Sequence, residues 1–192
     1  MPREVRRHIT EPEALAALAH PVRLELITYL MASGPATASV CARAVGDTPS
    51  NCSYHLRTLA KAGLVDTVES NDGRERPWRA LITGYDTDVA DPDQPLSPEA
   101  SRLLAVTLQH DQQIVRDFMT RRHQAPPAWR EAYAYSTYTL RLSPDELVAL
   151  GTQIDAMIRP YLSATREDPP ADAGLVHVGL HAVPTLDGES GS

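Results

Sequence analysis

The stretch TPSNCSYHLRTLAKAG, residues 48–63, constrains this chain most strongly. Thr48 and Pro49 supply a helix N-cap and a first-turn proline, and Gly63 supplies a C-terminal stop, so the stretch predicts one helix. Small and apolar side chains recur at helical spacing on one face, namely Cys52, Leu56, Leu59 and Ala60. The other face carries hydrogen-bonding groups, an aromatic ring and a guanidinium: Ser50, Asn51, Ser53, Tyr54, His55 and Arg57. Such a face suits a DNA major groove, although taken alone it also fits an ordinary amphipathic helix with a solvated polar face.

Three shorter helices are predicted before this stretch. They cover residues 11–19, 21–33 and 37–45, with proline near the start of the first two and Thr37 as the cap of the third. Gly46 and Asp47 form a tight turn between the third helix and residues 48–63. Two short helices joined by a glycine-containing turn are typical of a helix-turn-helix.

A β-hairpin is predicted directly after Gly63, because the hydrophobic period changes there from 3.6 to 2. The segments LVDTVE and RPWRALI read as strands, and Asn-Asp-Gly at residues 71–73 marks the turn. Arg74, Arg76 and Arg79 cluster on this hairpin, where they can reach the phosphate backbone or the minor groove. A merely solvated hairpin is the alternative.

Residues 11–83 resemble the winged helix-turn-helix of ArsR/SmtB-type regulators. The family motif L-x-H-P-x-R-L is matched by Leu18, His20, Pro21, Arg23 and Leu24, followed by Leu26 and Ile27. The family's recognition-helix motif is matched by Thr48, Ser50, Cys52, Ser53, His55, Leu56, Leu59, Ala62, Gly63, Leu64 and Val65, with Thr48 and Cys52 as departures. The resemblance implies a homodimer that binds a double-stranded DNA operator, one recognition helix to each half-site. It assigns the DNA contacts to Ser50, Asn51, Ser53, Tyr54, His55 and Arg57, with Arg74 and Arg76 on the wing, whereas His20 and Pro21 are expected to be structural.

The metal sites of that family are not matched. The segment around the third helix offers only Cys41, and His110, Asp111 and His123 fill too few of the positions of the other site type. Cys41 and Cys52 fall at core positions and are expected to be reduced thiols. We therefore predict no metal and no cofactor.

The second half is predicted to form a smaller helix-strand-helix-strand region after an acidic linker at 84–96. This C-terminal dimerisation or sensing region covers 97–183, with helices at 97–122 and 143–159, strands at 129–142 and 175–183, and a flexible tail at 184–192. Parallel pairing through a right-handed crossover follows if the strands pair within one chain. Whether helix 97–122 is core or dimer seam stays open. Aromatic side chains of the first strand are candidates for lining an effector pocket, or else for packing: Trp129, Tyr133, Tyr135 and Tyr138.

The charged residues are distributed unevenly along the chain, and their distribution agrees with the division into a first and a second half. The net charge is −7, yet residues 1–85 hold 10 Arg and Lys against 9 Asp and Glu, so the acidic excess lies in the second half. Any DNA-facing charge must therefore be local.

No enzyme motif, secretory signal or membrane-spanning run is found. We expect an α+β cytoplasmic DNA-binding regulator, a homodimeric repressor; the alternative is a winged helix used for protein contact without DNA.

Overall fold

The computed structural model describes residues 7–69, 76–86, 93–163 and 165–185. Four helices make up the first half, and all four predicted there are confirmed. They are α1 (Pro12–Leu18), α2 (Pro21–Ser33), α3 (Ala38–Val45) and α4 (Pro49–Lys61). Thr37 Oγ1 accepts the Val40 N–H at 3.3 Å and Thr48 Oγ1 accepts the Asn51 N–H at 3.2 Å, so both predicted N-caps form. Gly63 ends α4 with a φ of +69°, a left-handed conformation that favours glycine.

One hydrophobic core joins these helices. The most deeply buried side chains of α2 and α4 are leucines, an isoleucine and a cysteine, which are Leu24, Leu26, Ile27, Leu30, Cys52, Leu56 and Leu59. Each large aliphatic side chain in such a core stabilises the fold by roughly 1.5–3 kcal/mol relative to exposure. Cys41 and Cys52 are free thiols in this core, and burial raises the pKa of Cys41 to about 11.

The predicted wing is confirmed as an antiparallel pair of β2 (Val65–Thr67) and β3 (Trp78–Ala80). Its register places Val65 opposite Ala80 and Thr67 opposite Trp78. Ala36 adds a bridge on the other side of β3, exchanging backbone hydrogen bonds of 2.8 and 2.9 Å with Trp78. The predicted turn at 71–73 lies outside the described residues.

The polar residues 1–10 predict a frayed N-terminus, but the described residues from Arg7 onward make long-range contacts. β1 (Arg7–His8) pairs in parallel with β4 (Tyr85–Asp86), and Ile9 is fully buried. The Arg7 guanidinium donates to the Gly63 carbonyl at 3.2 Å and pairs with Glu11 at 3.3 Å. The expectation of fraying was wrong for residues 7–10, because the long-range partners that hold them are invisible to a local pattern.

The long helix α5 (Pro98–Arg121) begins as predicted, with Ser97 Oγ accepting the Ala100 N–H at 3.1 Å. It packs against α1 and α2, and Leu103 is the side chain that enters the core. Further along the helix, Leu104 is 44% exposed and Val115 is 39% exposed. The start of α5 is thus a core helix, while several apolar side chains further along it are only partly covered within the described chain.

Both predicted strands of the second half are corrected. Residues Trp129 to Glu131 belong to a short helix, α6 (Pro127–Glu131), which starts at the Pro126-Pro127 pair. Residues 133–142 and 175–183 have no regular structure, and within the described chain neither segment makes a backbone hydrogen bond to another segment. A strand forms only when a second strand satisfies its N–H and C=O groups. The fold class is α+β, but the described residues of the second half do not form the helix-strand-helix-strand arrangement.

The last long helix, α7 (Pro144–Ile158), has the predicted capping box of Ser143 and Glu146. None of its residues is buried, so the expectation that it buries an apolar face within this chain was wrong. Leu147, Leu150 and Ile154 remain half-exposed, and Met157 is 65% exposed.

No single described helix is long and apolar enough to cross a membrane. α1 and α2 together meet the requirements of length and composition, but a bend of 92° separates them and their leucines fill the core.

Candidate nucleic-acid interface

Helix α4 presents most of its predicted polar face to solvent. Its buried face, with Cys52, Leu56 and Leu59 at 0% exposure, fixes the rotation of the helix on the core. Ser50, Asn51, Tyr54 and Arg57 are consequently exposed, and Ser53 is half-buried. The Tyr54 side chain is 61% exposed, and its ring lies edge-on to that of His55 at 5.3 Å between centroids.

Asp47 lies just before α4, and the sequence predicted it only as part of the turn. Its Oδ1 accepts the Thr48 N–H at 2.6 Å, and its Oδ2 accepts the Asn51 side-chain amide at 2.6 Å. These two hydrogen bonds lower the pKa of the Asp47 carboxyl. Asp47 therefore orients Asn51, one of the predicted base readers. The signal available in the sequence was the i, i+4 spacing of an acid in the turn and an amide in the first turn of the helix.

His55 does not lie on the DNA-facing surface, and the prediction that it contacts DNA is corrected. It is 6% exposed, and its ring lies 4.7 Å from that of His20, centroid to centroid. The Nδ1 atoms of both rings are buried without a hydrogen-bond partner. His20 is structural, as expected, and the two rings join the start of α2 to the middle of α4.

Arg23 completes this contact between helices. Its Nε donates to the Ala17 carbonyl and its Nη2 donates to the Ala16 carbonyl at 2.9 Å, so it holds the end of α1. Burial lowers the pKa of His20 and of His55, and the nearby Arg23 charge lowers both further. Both imidazoles are therefore stabilised in the neutral form. The two neutral rings lie beneath the exposed face of α4.

The wing contributes exposed cations beside α4. Arg76 is exposed immediately before β3, and Arg79 on β3 is exposed and paired with Asp66 at 3.8 Å. An exposed pair at that distance is weak and leaves Arg79 able to exchange Asp66 for a phosphate. Arg74 lies outside the described residues.

The four aromatic residues predicted to line a pocket do not surround a common cavity. Tyr133 contacts α5, where its ring lies 5.7 Å from that of Phe118 and its hydroxyl accepts from Arg122 at 2.7 Å. Tyr135 and Tyr138 are 70% and 77% exposed. An open cleft of about 490 Å³ at the end of α5 has none of the four among its lining residues, which are Ile114, Asp117, Phe118, Arg121, Gln124 and Ala125. Trp129 lies against Gly174 instead, and the small-molecule effector stays a prediction.

Of the groups considered earlier as metal ligands, Asp111 contacts two histidines of the C-terminal segment. Asp111 Oδ1 lies 2.8 Å from His177 Nε2, and Asp111 Oδ2 lies 3.3 Å from His181 Nε2. His110 lies edge-on to His177, whereas His123 is exposed in the 3-10 turn after α5. Among the residues that the structure describes, no three His, Cys, Asp or Glu side chains are arranged to hold a metal ion.

A comparison with known protein families gives a match in this region of the chain. Residues 18–68 match the family model described as a helix-turn-helix domain, and they cover α2, α3, α4 and β2. The comparison with curated proteins finds no significant match. One solved structure that matches is the homodimeric winged helix-turn-helix DNA-binding domain of Mb0332 from Mycobacterium bovis, described as a possible ArsR-family transcriptional regulator. It is 23% identical, covers 59% of this chain and 84% of that chain, and has a TM-score of 0.33, too low for the likeness to carry an argument.

The family match and the observed fold agree on the same residues. The helix-turn-helix of α3 and α4, the β2–β3 wing and the exposed face of α4 are the parts with which this class binds DNA. The first half of this chain therefore contains a helix-turn-helix domain followed by a two-stranded wing, the arrangement found in DNA-binding transcription regulators.

Proposed function

We propose that the protein is a sequence-specific transcriptional repressor that binds its operator as a homodimer, with α4 in the major groove. The observation that carries the proposal is the exposed face of α4, where Ser50, Asn51, Tyr54 and Arg57 lie in solvent above a fully buried apolar face. Amide and hydroxyl groups at the start of such a helix read base edges, and the guanidinium grips phosphate.

The charge of the domain supports local rather than broad DNA contact. The net charge of residues 1–85 is only +1, so their non-specific attraction to DNA is weak. The available cations are concentrated at the proposed surface, with Arg57 on α4 and Arg76 and Arg79 on the wing. Specificity then depends on a few side chains, and Asp47 keeps one of these, Asn51, in a defined orientation.

The homodimer is supported by the apolar surface of the second half. Except for Tyr54, the well-exposed large apolar side chains of the described residues lie from Leu96 onward. They include Leu104, Val115 and Met119 on α5, Val148 and Met157 on α7, and Tyr135, Tyr138, Leu140, Val176, Val178 and Leu180 in the extended segments. A monomer rarely exposes so many large apolar side chains, whereas obligate dimers bury such side chains between subunits.

DNA affinity measured with charge-matched variants tests the proposal. Arg57→Ala removes a cation from the proposed interface, and Arg121→Ala removes one from the end of α5, where Arg121 pairs with Asp117. Fluorescence anisotropy on DNA from upstream of the gene should show Arg57→Ala binding several-fold more weakly, while Arg121→Ala binds like the wild type. Equal affinities for all three proteins would contradict the placement of α4.

A winged helix that contacts another protein is the alternative function. It is motivated by the acidic second half, where residues 86–192 hold 8 Arg and Lys against 16 Asp and Glu. Salt dependence separates the two functions, because binding through phosphates weakens steeply as the salt concentration rises. A chain that shows no salt-dependent DNA binding would favour the alternative.

A further inference from the structure

We infer that residues 175–183, with the sequence LVHVGLHAV, form an antiparallel strand pair with the same segment of a second copy of the chain, about a two-fold axis at Gly179. The inference rests on the homodimer proposed above and names the segment that joins the two copies. Four observations lead to it: how the segment is anchored, which side chains it turns outward, what its backbone lacks, and how its sequence is ordered.

The segment is held against α5 by a single carboxylate. His177 and His181 both contact Asp111, at 2.8 and 3.3 Å, and the Asp111 side chain is only 16% exposed. Gly179 lies between them, and a Cβ at that position would approach Asp111 Oδ2 to 3.1 Å. A larger residue would push the segment away, so the glycine allows the histidines on both sides to reach the same carboxylate.

The apolar side chains of the segment lie in solvent. Val176, Val178 and Leu180 are 65%, 61% and 54% exposed, and Leu175 and Val183 at its two ends are 68% and 79% exposed. The alternating sequence predicts a strand with Val176, Val178 and Leu180 inward, and the structure corrects that expectation. Because His177 and His181 contact Asp111, the segment meets its own protein through polar side chains while its apolar side chains stay uncovered.

The backbone of the segment is available for pairing. Over 175–183 no backbone N–H or C=O is hydrogen-bonded to another backbone group of the described chain. An apolar segment with an unpaired backbone can accept another strand, and native proteins satisfy such a segment with a defined partner. No lysine, arginine or proline is present within 175–183 to block the approach of a strand.

The order of residues in the segment fits a copy of itself. In an antiparallel pair centred on Gly179, Val178 lies opposite Leu180, Val176 opposite Ala182, and His177 opposite His181. Every apolar side chain then meets an apolar side chain, and each histidine keeps its own Asp111. Such self-complementarity about a two-fold axis is what an isologous interface requires. The same axis brings the two α5 helices to one side of the strand pair, where their exposed apolar side chains can meet.

Disulfide cross-linking tests the register. The single variants Val178→Cys and Leu180→Cys are mixed and mildly oxidised; opposite residues of an antiparallel pair have Cα atoms within disulfide range, at about 4.5–5.5 Å. The matched control mixes Val176→Cys with Leu180→Cys, whose Cα atoms would be about 8 Å apart in this register and beyond disulfide range. The native thiols Cys41 and Cys52 are fully buried and stay silent. We expect a covalent dimer on a non-reducing gel from the first mixture alone, and none from any single variant.

Sedimentation of the unmodified protein distinguishes a failure of the strand pair from a failure of the homodimer. A wild-type dimer with cross-linking of the first mixture alone supports the strand pair. A wild-type dimer without that cross-link, or with the control mixture cross-linking equally, overturns the strand pair and leaves the homodimer intact. A wild-type monomer overturns both. Circular dichroism of each variant confirms that it keeps the wild-type helix content.

Discussion

Acidification should destabilise the DNA-binding domain through the His20–His55 pair. Both rings are buried against each other with their Nδ1 atoms unpartnered, and burial together with Arg23 lowers the pKa of each. Asp47 opposes this at His55 without reversing it. As the pH falls below the ordinary histidine pKa of about 6.5, the unfolded chain therefore binds protons before the folded chain does. Stability is retained above that pH and lost below it.

The size of the effect follows from linkage. A histidine that stays neutral in the folded protein loses at most about 1.4 kcal/mol of stability by about pH 5.5, so the pair contributes up to about 2.8 kcal/mol. The pKa of His110 is also lowered by burial, and its contribution adds to the wild-type pH dependence. Comparison with a variant that keeps His110 removes that contribution from the result.

Urea unfolding at about pH 7.5 and about pH 5.5 measures the difference. The free energy of unfolding of the wild type should fall more than that of the His20→Gln/His55→Gln double variant, because only the wild type has the buried pair. An NMR titration of the ring protons should place both pKa values below the ordinary value. Equal losses of stability in the two proteins, or ordinary pKa values for both rings, would refute the reasoning.

Three further substitutions test the packing of α4. Thr48→Ala removes the cap of α4 and should cost about 1 kcal/mol of unfolding free energy, whereas Thr58→Ala, on the exposed surface of the same helix, should cost little. Leu59→Ala opens a cavity under the helix and should cost about 2–5 kcal/mol by urea unfolding, while Gln153→Ala at an exposed polar position of α7 should stay within about 0.5 kcal/mol. Gly63→Ala places a Cβ at a φ of +69° and should lower the stability by about 1 kcal/mol.

The first half could be predicted from its sequence because its signals are local. Thr48 and Pro49 start α4, Gly63 ends it, and the change of period after Gly63 marks the wing; each depends on residues a few positions apart. His55 shows the limit of this reading. The residue type of His55 and the family motif predict a place on the polar, DNA-facing side. Residues 52, 55, 56 and 59 nevertheless share one helical stripe, and in the structure His55 is buried with the apolar members of that stripe.

In the second half, only the helices could be predicted from the sequence. The capping box of Ser143 and the cap at Ser97 are again local, and both form. The alternation in residues 133–142 and 175–183 indicates that these segments can form strands, but a strand also needs a partner, which a local pattern cannot name. Asp111 likewise reaches His177 and His181 across more than sixty positions of the chain, a contact that spacing along the sequence does not reveal.

A nuclease-protection footprint of the wild-type protein on the DNA upstream of its gene tests the central claim most directly. A homodimer with one α4 helix in each half-site predicts two protected half-sites whose centres lie about one helical turn, or about 10 base pairs, apart. It also predicts that Arg57→Ala loses the protection while Arg121→Ala keeps it. The absence of protection by wild-type protein at low salt concentration, or protection of a single isolated half-site, would contradict the account.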